Sequence, residues 1–157
     1  MTQRIFTQTF GVVGALIERD GKILLVKETK ATARGKWNQP AGWLEVGEDV
    51  IEAVKREVQE ETGFTFEPKH ILGIYSLVKE EAGVTHHAIK IIFLGNISDK
   101  ETTGLADDVS ETKWFTPEEI ENMDLKTLRD LDIKQLVKDY FSGKKYSIDL
   151  LTHTIQR

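Results

Sequence analysis

The chain has 157 residues, 39% of them hydrophobic and 30% charged, and no cysteine. That length suits one cored domain and is short for two. The lack of thiols excludes disulfides, thiolate zinc sites, iron–sulfur centres and cysteine nucleophiles. With 21 Lys plus Arg against 26 Asp plus Glu the formal charge is −5, which disfavours polymeric nucleic acid as a partner but leaves room for one small phosphorylated metabolite. The apolar stretch 88–94 is broken by Lys90 and falls far short of the ~20 residues that span a bilayer, and MTQRIFTQTF lacks an export core. A cytoplasmic protein with no membrane partner is expected.

Phe10 to Glu18 is a β-rich apolar run, and Asp20-Gly21 separates it from a second run, Ile23 to Val26, so two antiparallel strands are expected. Lys30 to Asn38 is polar apart from Trp37 and reads as an exposed loop ending at Pro40-Ala41-Gly42. From Asp49 to Thr62 the apolar period becomes helical, at Val50, Val54 and Val58. Asp49 with Glu52 three residues later specifies the start, and Gly63 the stop. Phe64 to Phe66, Ile71 to Val78 and Ala88 to Leu94 are expected strands, with KEEAGVTHH as the hairpin loop between the last two. Lys113 to Phe115 is another short strand. Thr116-Pro117-Glu118-Glu119 then opens a short helix with a cap, an N1 proline and a reciprocating glutamate. A longer helix carrying Leu128, Leu131, Leu136, Val137, Tyr140 and Phe141 should follow, stopping at Gly143. The tail 144–157 is either an added edge strand, a contact with a second subunit in a homodimer, or a frayed end. These elements imply α/β or α+β layers, and periodicity alone does not distinguish the two.

The densest chemistry lies in GWLEVGEDVIEAVKREVQEETGF, residues 42–64. Glu57, Glu60 and Glu61 converge on one side of the expected helix, and Arg56 alone cannot neutralise three carboxylates. Either this is an ordinary solvated face, or its hard oxygen ligands hold Mg2+, with Mn2+ as a substitute. The spacing alone leaves both open.

Gly42, five residues, Glu48, seven residues, then Arg56-Glu57-Val58-Gln59-Glu60-Glu61-Thr62-Gly63-Phe64 resembles the signature of the Nudix hydrolases at every defined position. Gly35-Lys36-Trp37-Asn38-Gln39-Pro40 resembles the family's approach to that signature, and 114–119 its late strand and helix start, so the likeness runs over about residues 8–142. The resemblance implies an α/β/α sandwich around a mixed β-sheet in one domain over 1–157, with 144–157 as an appended tail. It implies Mg2+-dependent hydrolysis of a phosphoanhydride by metal-activated water. It gives Glu57, Glu60, Glu61 and Gly42 as metal ligands, Glu48 as a further acid, Arg56 as an orienter of acids, and Glu57 or Glu60 as the nearest proton acceptor. Glu101, Asp107, Asp108 and Glu111 are distal alternatives.

Trp37, Trp43 and Tyr75 are candidates for stacking on a base or for core filling, Lys27 and Lys36 for phosphate contact, and the His86-His87 pair, His87 foremost, for substrate contact or loop exposure. One departure stands out: Ala41 occupies a position where many members have a glycine. Gln-Pro-Ala-Gly resembles members acting on nucleoside di- and triphosphates, including oxidised guanine nucleotides. ADP-ribose or another nucleoside-diphosphate sugar is the alternative substrate, and a noncatalytic nucleotide sensor the alternative function. The chain contains no GxxxxGK or GxGxxG segment, so P-loop ATPase and Rossmann oxidoreductase chemistries are not indicated.

Overall fold

The structure is a computed structural model that describes residues 9–98 in full, the backbone of 99–100, and residues 105–157. Glu101 lies outside the described residues. The elements run β1 (Thr9–Ala15), β2 (Glu18–Arg19), β3 (Lys22–Glu28), β4 (Trp37–Asn38), β5 (Ala41–Trp43), α1 (Val50–Thr62), β6 (Phe64–Glu81), β7 (Val84–Lys100), β8 (Val109–Phe115), α2 (Pro117–Glu121), α3 (Asp132–Phe141) and β9 (Tyr146–Ser147), closing with a 3-10 turn, Ile148–Leu150.

One sheet has the order β5-β1-β7-β6-β9, with β1 parallel to β7 and the other pairs antiparallel. In the second sheet β3 pairs with β2, β4 and β8, antiparallel throughout. Two buried clusters lie on opposite sides of this framework. Val13, Leu24, Phe66 and Phe93 pack with Ala53, Val54 and Val58 of α1. Leu16, Leu25, Leu72 and Ile92 pack with Ile120 of α2 and Ile133, Leu136 and Val137 of α3. This is the α/β/α sandwich with a mixed sheet that the family resemblance implies, and the second sheet is antiparallel.

The local signals explain the site-bearing helix. Asp49 accepts the backbone N–H groups of Ile51 at 2.9 Å and Glu52 at 3.1 Å, satisfying two of the donors a helix start leaves free. Gly63, at φ 77°, supplies the left-handed residue that ends α1. Thr116 and Glu119 form the reciprocal capping box expected for α2.

Three expectations need correction. Phe64–Phe66 and Ile71–Val78 are one strand, because the ladder with β7 continues through register shifts at 64/66, 68/70 and 71/73. The polar segment 79–87 is mostly strand; only Ala82 and Gly83, both at positive φ, make the turn, since a two-residue hairpin needs left-handed conformers there. The last helix starts only at Asp132, while Leu128 is buried outside it, bridging to Trp37, and Leu131 and Phe141 remain 45% and 49% exposed. The tail adds a two-residue edge strand against His70 and Ile71.

Candidate active site

The apolar stripe of α1 carries two carboxylates with it. Glu57 and Glu61 are only 9% and 6% exposed, one turn apart and beside Ala53, Val54 and Val58. They are therefore not part of a solvated face. Glu60, on the flank, keeps 49% of its side chain exposed and meets Arg56 Nη1 at 3.3 Å. Arg56 is a hub: its Nε donates to Glu48 Oε1 at 2.7 Å, Nη2 to Glu48 Oε2 at 3.0 Å, and Nη1 to Glu57 Oε1 at 2.8 Å. This arrangement orients three acids at once.

The charges respond to their surroundings. Hydrogen bonding to Arg56 holds Glu48 below the ordinary carboxylate range. Burial pushes Glu57 up in spite of Arg56. Burial, and then the neighbouring charge of Glu57, push Glu61 well up, while the Ala41 N–H that it accepts at 3.1 Å opposes them. Among the described residues no cation pairs with Glu61. The pair is thus negative charge held out of water without full compensation, and an added cation would relieve it.

Gly42 faces these acids directly: a Cβ there would overlap the Glu57 carboxylate. The backbone at 42 can lie against the acid only because the residue is glycine. Its neighbour Ala41 lies opposite Gly14 of β1, and a Cβ built on Gly14 would come within 2.9 Å of the Ala41 methyl. The methyl group that departs from the family pattern thus occupies space left by a glycine across the ladder.

Gly42 with Glu57 and Glu61 therefore fits a divalent ion in part. No three Asp, Glu or His side chains among the described residues surround one cation position. Glu60 completes a trio only by leaving Arg56. The distal loop lies beside the helix, where Ala106 N–H donates to the Glu60 carbonyl at 2.8 Å, and the charge of Asp108 is felt by both Glu57 and Glu61. The Asp107 carbonyl is bound by Thr29, and Glu111 pairs with Lys27 at 3.1 Å, away from the acids.

A cleft of about 160 Å³ runs from Gly42 along β6 and β7. One wall is aromatic: Trp43, 64% exposed, stacks on Phe10 at 4.7 Å and 11°, and Phe10 stacks on His86 at 5.8 Å. Strand alternation decides between the two histidines. His86 lines the cleft with Ala88 and Lys90, whereas His87 turns the other way and meets Ser76 Oγ at 2.7 Å. Trp37 is 8% exposed, edge-to-face on Phe115 in the core, so it does not line the cleft. Tyr75 packs against the α3 side and donates to Asp139 Oδ2 at 2.7 Å. Lys36 is half-buried before β4 and is not among the residues lining the cleft.

The far end of the cleft was not apparent in the sequence. Lys79 pairs with Asp130 at 2.9 Å, Lys90 with Asp132 at 2.7 Å, and Arg129 with Glu81 at 3.3 Å and Glu28 at 3.7 Å. Lys30 also lines the cleft and pairs with Asp108 at 3.3 Å, so each of the four cations along it already has a carboxylate partner. Beside it Gln39 is fully buried with neither amide atom hydrogen-bonded, and Asn38 Oδ1 is likewise unpaired. Acids and bases from distant segments make this network, and no local spacing reveals it; the Asn38-Gln39 amides just before the signature were its one visible trace.

The NUDIX domain model matches residues 7–139. The ADP-ribose pyrophosphatase of Methanocaldococcus jannaschii is 34% identical over 143 residues, covering 90% of this chain and 78% of that one. The phosphatase NudJ of Escherichia coli K12 is 29% identical over 139 residues, 88% of each chain. A NUDIX hydrolase from Nitrosomonas europaea superposes with a TM-score of 0.85 at 34% identity, over 94% of this chain and 98% of that one. With the signature helix in place, its acids buried against Gly42 and the sandwich around them, the chain belongs to the NUDIX family and is a hydrolase.

Proposed function

We propose that the protein hydrolyses the diphosphate bridge of a nucleoside diphosphate derivative, with ADP-ribose or a related nucleoside-diphosphate sugar as the substrate class. The observation that carries this reading is the pairing of an under-compensated acid site, Glu57 and Glu61 at Gly42, with a cleft whose far end is already neutralised by its own ion pairs. Every cation along the cleft, Lys30 with Asp108 included, would have to leave a carboxylate to take a third phosphate, while the unpaired Asn38 Oδ1 and Gln39 amide border the cleft as hydrogen-bonding groups for a sugar or base. The likeness to an ADP-ribose pyrophosphatase supports the same class. Likeness at 28% identity and TM-score 0.72 to a MutT protein from Methanosarcina mazei keeps nucleoside triphosphates, oxidised guanine nucleotides included, as the second reading.

NUDIX hydrolases generally use a divalent metal, and we assign Mg2+, replaceable by Mn2+, to the Gly42 carbonyl with Glu57, Glu60 and Glu61. When bound, the ion offsets phosphate charge and acidifies water. The chain does the rest. Trp43 and Phe10 stack the base, Gly42 lets the backbone approach, and Arg56 holds Glu48 and Glu57 in place. Water oxygen joins one phosphorus, the bridging oxygen leaves with the other phosphate, and a carboxylate of the signature helix, Glu57 or Glu60, takes the water proton. The cytoplasm, where such nucleotides are held, is the compartment expected.

Metal-stripped protein supplied with ADP-ribose, nucleoside-diphosphate sugars and nucleoside triphosphates, with and without Mg2+, tests the proposal. AMP plus a sugar phosphate, formed only with metal, is the expected result. Turnover in verified metal-free protein would refute the metal assignment. Release of pyrophosphate from triphosphates with no cleavage of sugar nucleotides would establish the second reading instead.

A further inference from the structure

Two amides at the cleft hold hydrogen-bonding capacity that the protein itself does not use. Gln39 is fully buried, and among the described residues neither its Oε1 nor its Nε2 has a partner. Asn38, 9% exposed, uses only half of its amide: Nδ2 donates to Glu28 Oε1 at 3.1 Å, while Oδ1 is shielded from water and unpaired. Buried polar groups are nearly always paired, because one left open forfeits its bond to water and gains nothing in return. Both side chains line the cleft that also holds Trp43 and Phe10, so a base stacked on that aromatic wall lies in the same space as the open atoms.

The three open atoms are not equivalent. An ionised carboxylate only accepts, so Glu28 pins the Asn38 amide with Nδ2 toward itself and leaves Oδ1 as a fixed acceptor. Gln39 has no such tether, and either end of its amide can turn to a ligand. We infer that Asn38 and Gln39 are the specificity-determining pair for the substrate's base, and that they select a base with a ring nitrogen beside an exocyclic amine, as in adenine or cytosine. Gln39 Nε2 donates to the ring nitrogen, Gln39 Oε1 accepts one amine hydrogen and Asn38 Oδ1 accepts the other, so all three open atoms are used at once. An oxo base such as hypoxanthine or uracil presents N–H beside C=O. Gln39 can turn over to match that edge, but Asn38 Oδ1 is then left against a carbonyl oxygen, acceptor to acceptor. A ribose hydroxyl donates only one proton and leaves one of the two acceptors open. The inference rests on the hydrolase reading above for a nucleotide substrate and deepens it by naming the base.

Binding of nucleoside monophosphates tests this without turnover, and at 17.9 kDa the chain suits titration by 15N NMR. With Mg2+ present, AMP should bind about 10-fold or more tighter than inosine monophosphate, and CMP likewise over UMP, as expected of one good bidentate amide contact to a base. The Gln39 side-chain amide signals should move with the two amino nucleotides. Gln39→Met, similar in size but without the amide, should bring each pair to within about 3-fold at a melting temperature no lower than wild type, since no bond is lost in the free protein. Glu28→Gln can pair with either end of the Asn38 amide and should relax the preference in the same way while Gln39 stays. Equal affinity within either pair, binding of none of the four nucleotides, or a preference that survives both variants overturns the inference. A measured preference for AMP beside failure to cleave ADP-ribose would support this base site and refute the function proposed above, so the two fail separately.

Discussion

Replacing Glu61 with Gln should stabilise the metal-free protein while disabling it. Glu57 and Glu61 are i,i+4 neighbours, so their Cβ atoms are about 6 Å apart and two full charges repel by about 3 kcal/mol at an effective dielectric near 20. The Ala41 N–H bond to Glu61, at 3.1 Å, and Arg56 on Glu57 return part of this. A net gain of about 1–2 kcal/mol follows for the neutral isostere, or roughly 5 °C in melting temperature for a chain of this size. The pH dependence has a definite sign. Burial first, and then Glu57, raise the folded pKa of Glu61 above its ordinary value of 4.5, so the native state binds that proton more tightly than the unfolded state. Stability therefore falls as pH rises from about 4.5 through the folded pKa, and the cost is complete above it. Wild type and Glu61→Gln should melt furthest apart near pH 8 and converge toward pH 4.5. Mg2+ at a hundred times Kd should reverse the order, since it contributes about 2.7 kcal/mol to whichever protein binds it. Thermal unfolding of chelator-stripped samples across pH, with and without Mg2+, makes the measurement. Equal melting at pH 8 without metal, or equal Mg2+ shifts in both proteins, would refute the account of Glu61.

Gly42→Ala places a methyl on the Glu57 carboxylate and should lower kcat by about 10²-fold or more, with circular dichroism showing a folded protein. Trp37→Ala empties a core position and should cost about 3–5 kcal/mol, read as a large melting decrease with KM little changed. Trp43→Ala should do the opposite, raising KM about 5- to 150-fold through a lost stacking contribution of about 1–3 kcal/mol and leaving the melting temperature near wild type. Hydrogen bonds from Tyr75 and Gln135, with Lys144 nearby, outweigh burial and depress the pKa of Asp139. The stability it contributes is present above the unfolded pKa near 3.8 and is lost as pH falls through the folded value. Tyr75→Phe should shrink that acid-side loss in urea titrations.

The parts of the fold legible in the sequence are those written in a few adjacent residues. Asp49 and Gly63 mark both ends of α1, Thr116 to Glu119 cap α2, and Asp20-Gly21 turns a hairpin, because caps and turns are local hydrogen-bond chemistry, but only Glu18–Arg19 pair across that turn and the run from Phe10 joins the other sheet. The signature likewise exposed the acids of α1, yet spacing could not tell which carboxylates are buried. That depends on β5 bringing Gly42 onto the helix. Polarity misled at 79–87, where a hairpin reaching beyond α1 needs no apolar face to stay paired. Trp37 sits in a polar stretch and still enters the core, because its strand pairs with β3 and its backbone is tied to Thr127 and Arg129. The ion pairs at the cleft end involve residues 28, 79, 81, 90, 129, 130 and 132, whose nearness is largely tertiary.

The Gly14–Ala41 contact makes two distant positions behave as one shared volume with room for a single methyl group. Position 41 carries it, because Gly14→Ala would drive a methyl to within about 3 Å of both the Ala41 methyl and the Pro40 carbonyl. Among descendants of this chain, an alanine arising at 14 would meet less resistance where 41 has already become glycine, with the Pro40 carbonyl left to shift. The order of those two changes is then constrained even though neither side chain touches a phosphate, and the loop that presents Gly42 to the acids inherits its history from a strand 27 residues earlier.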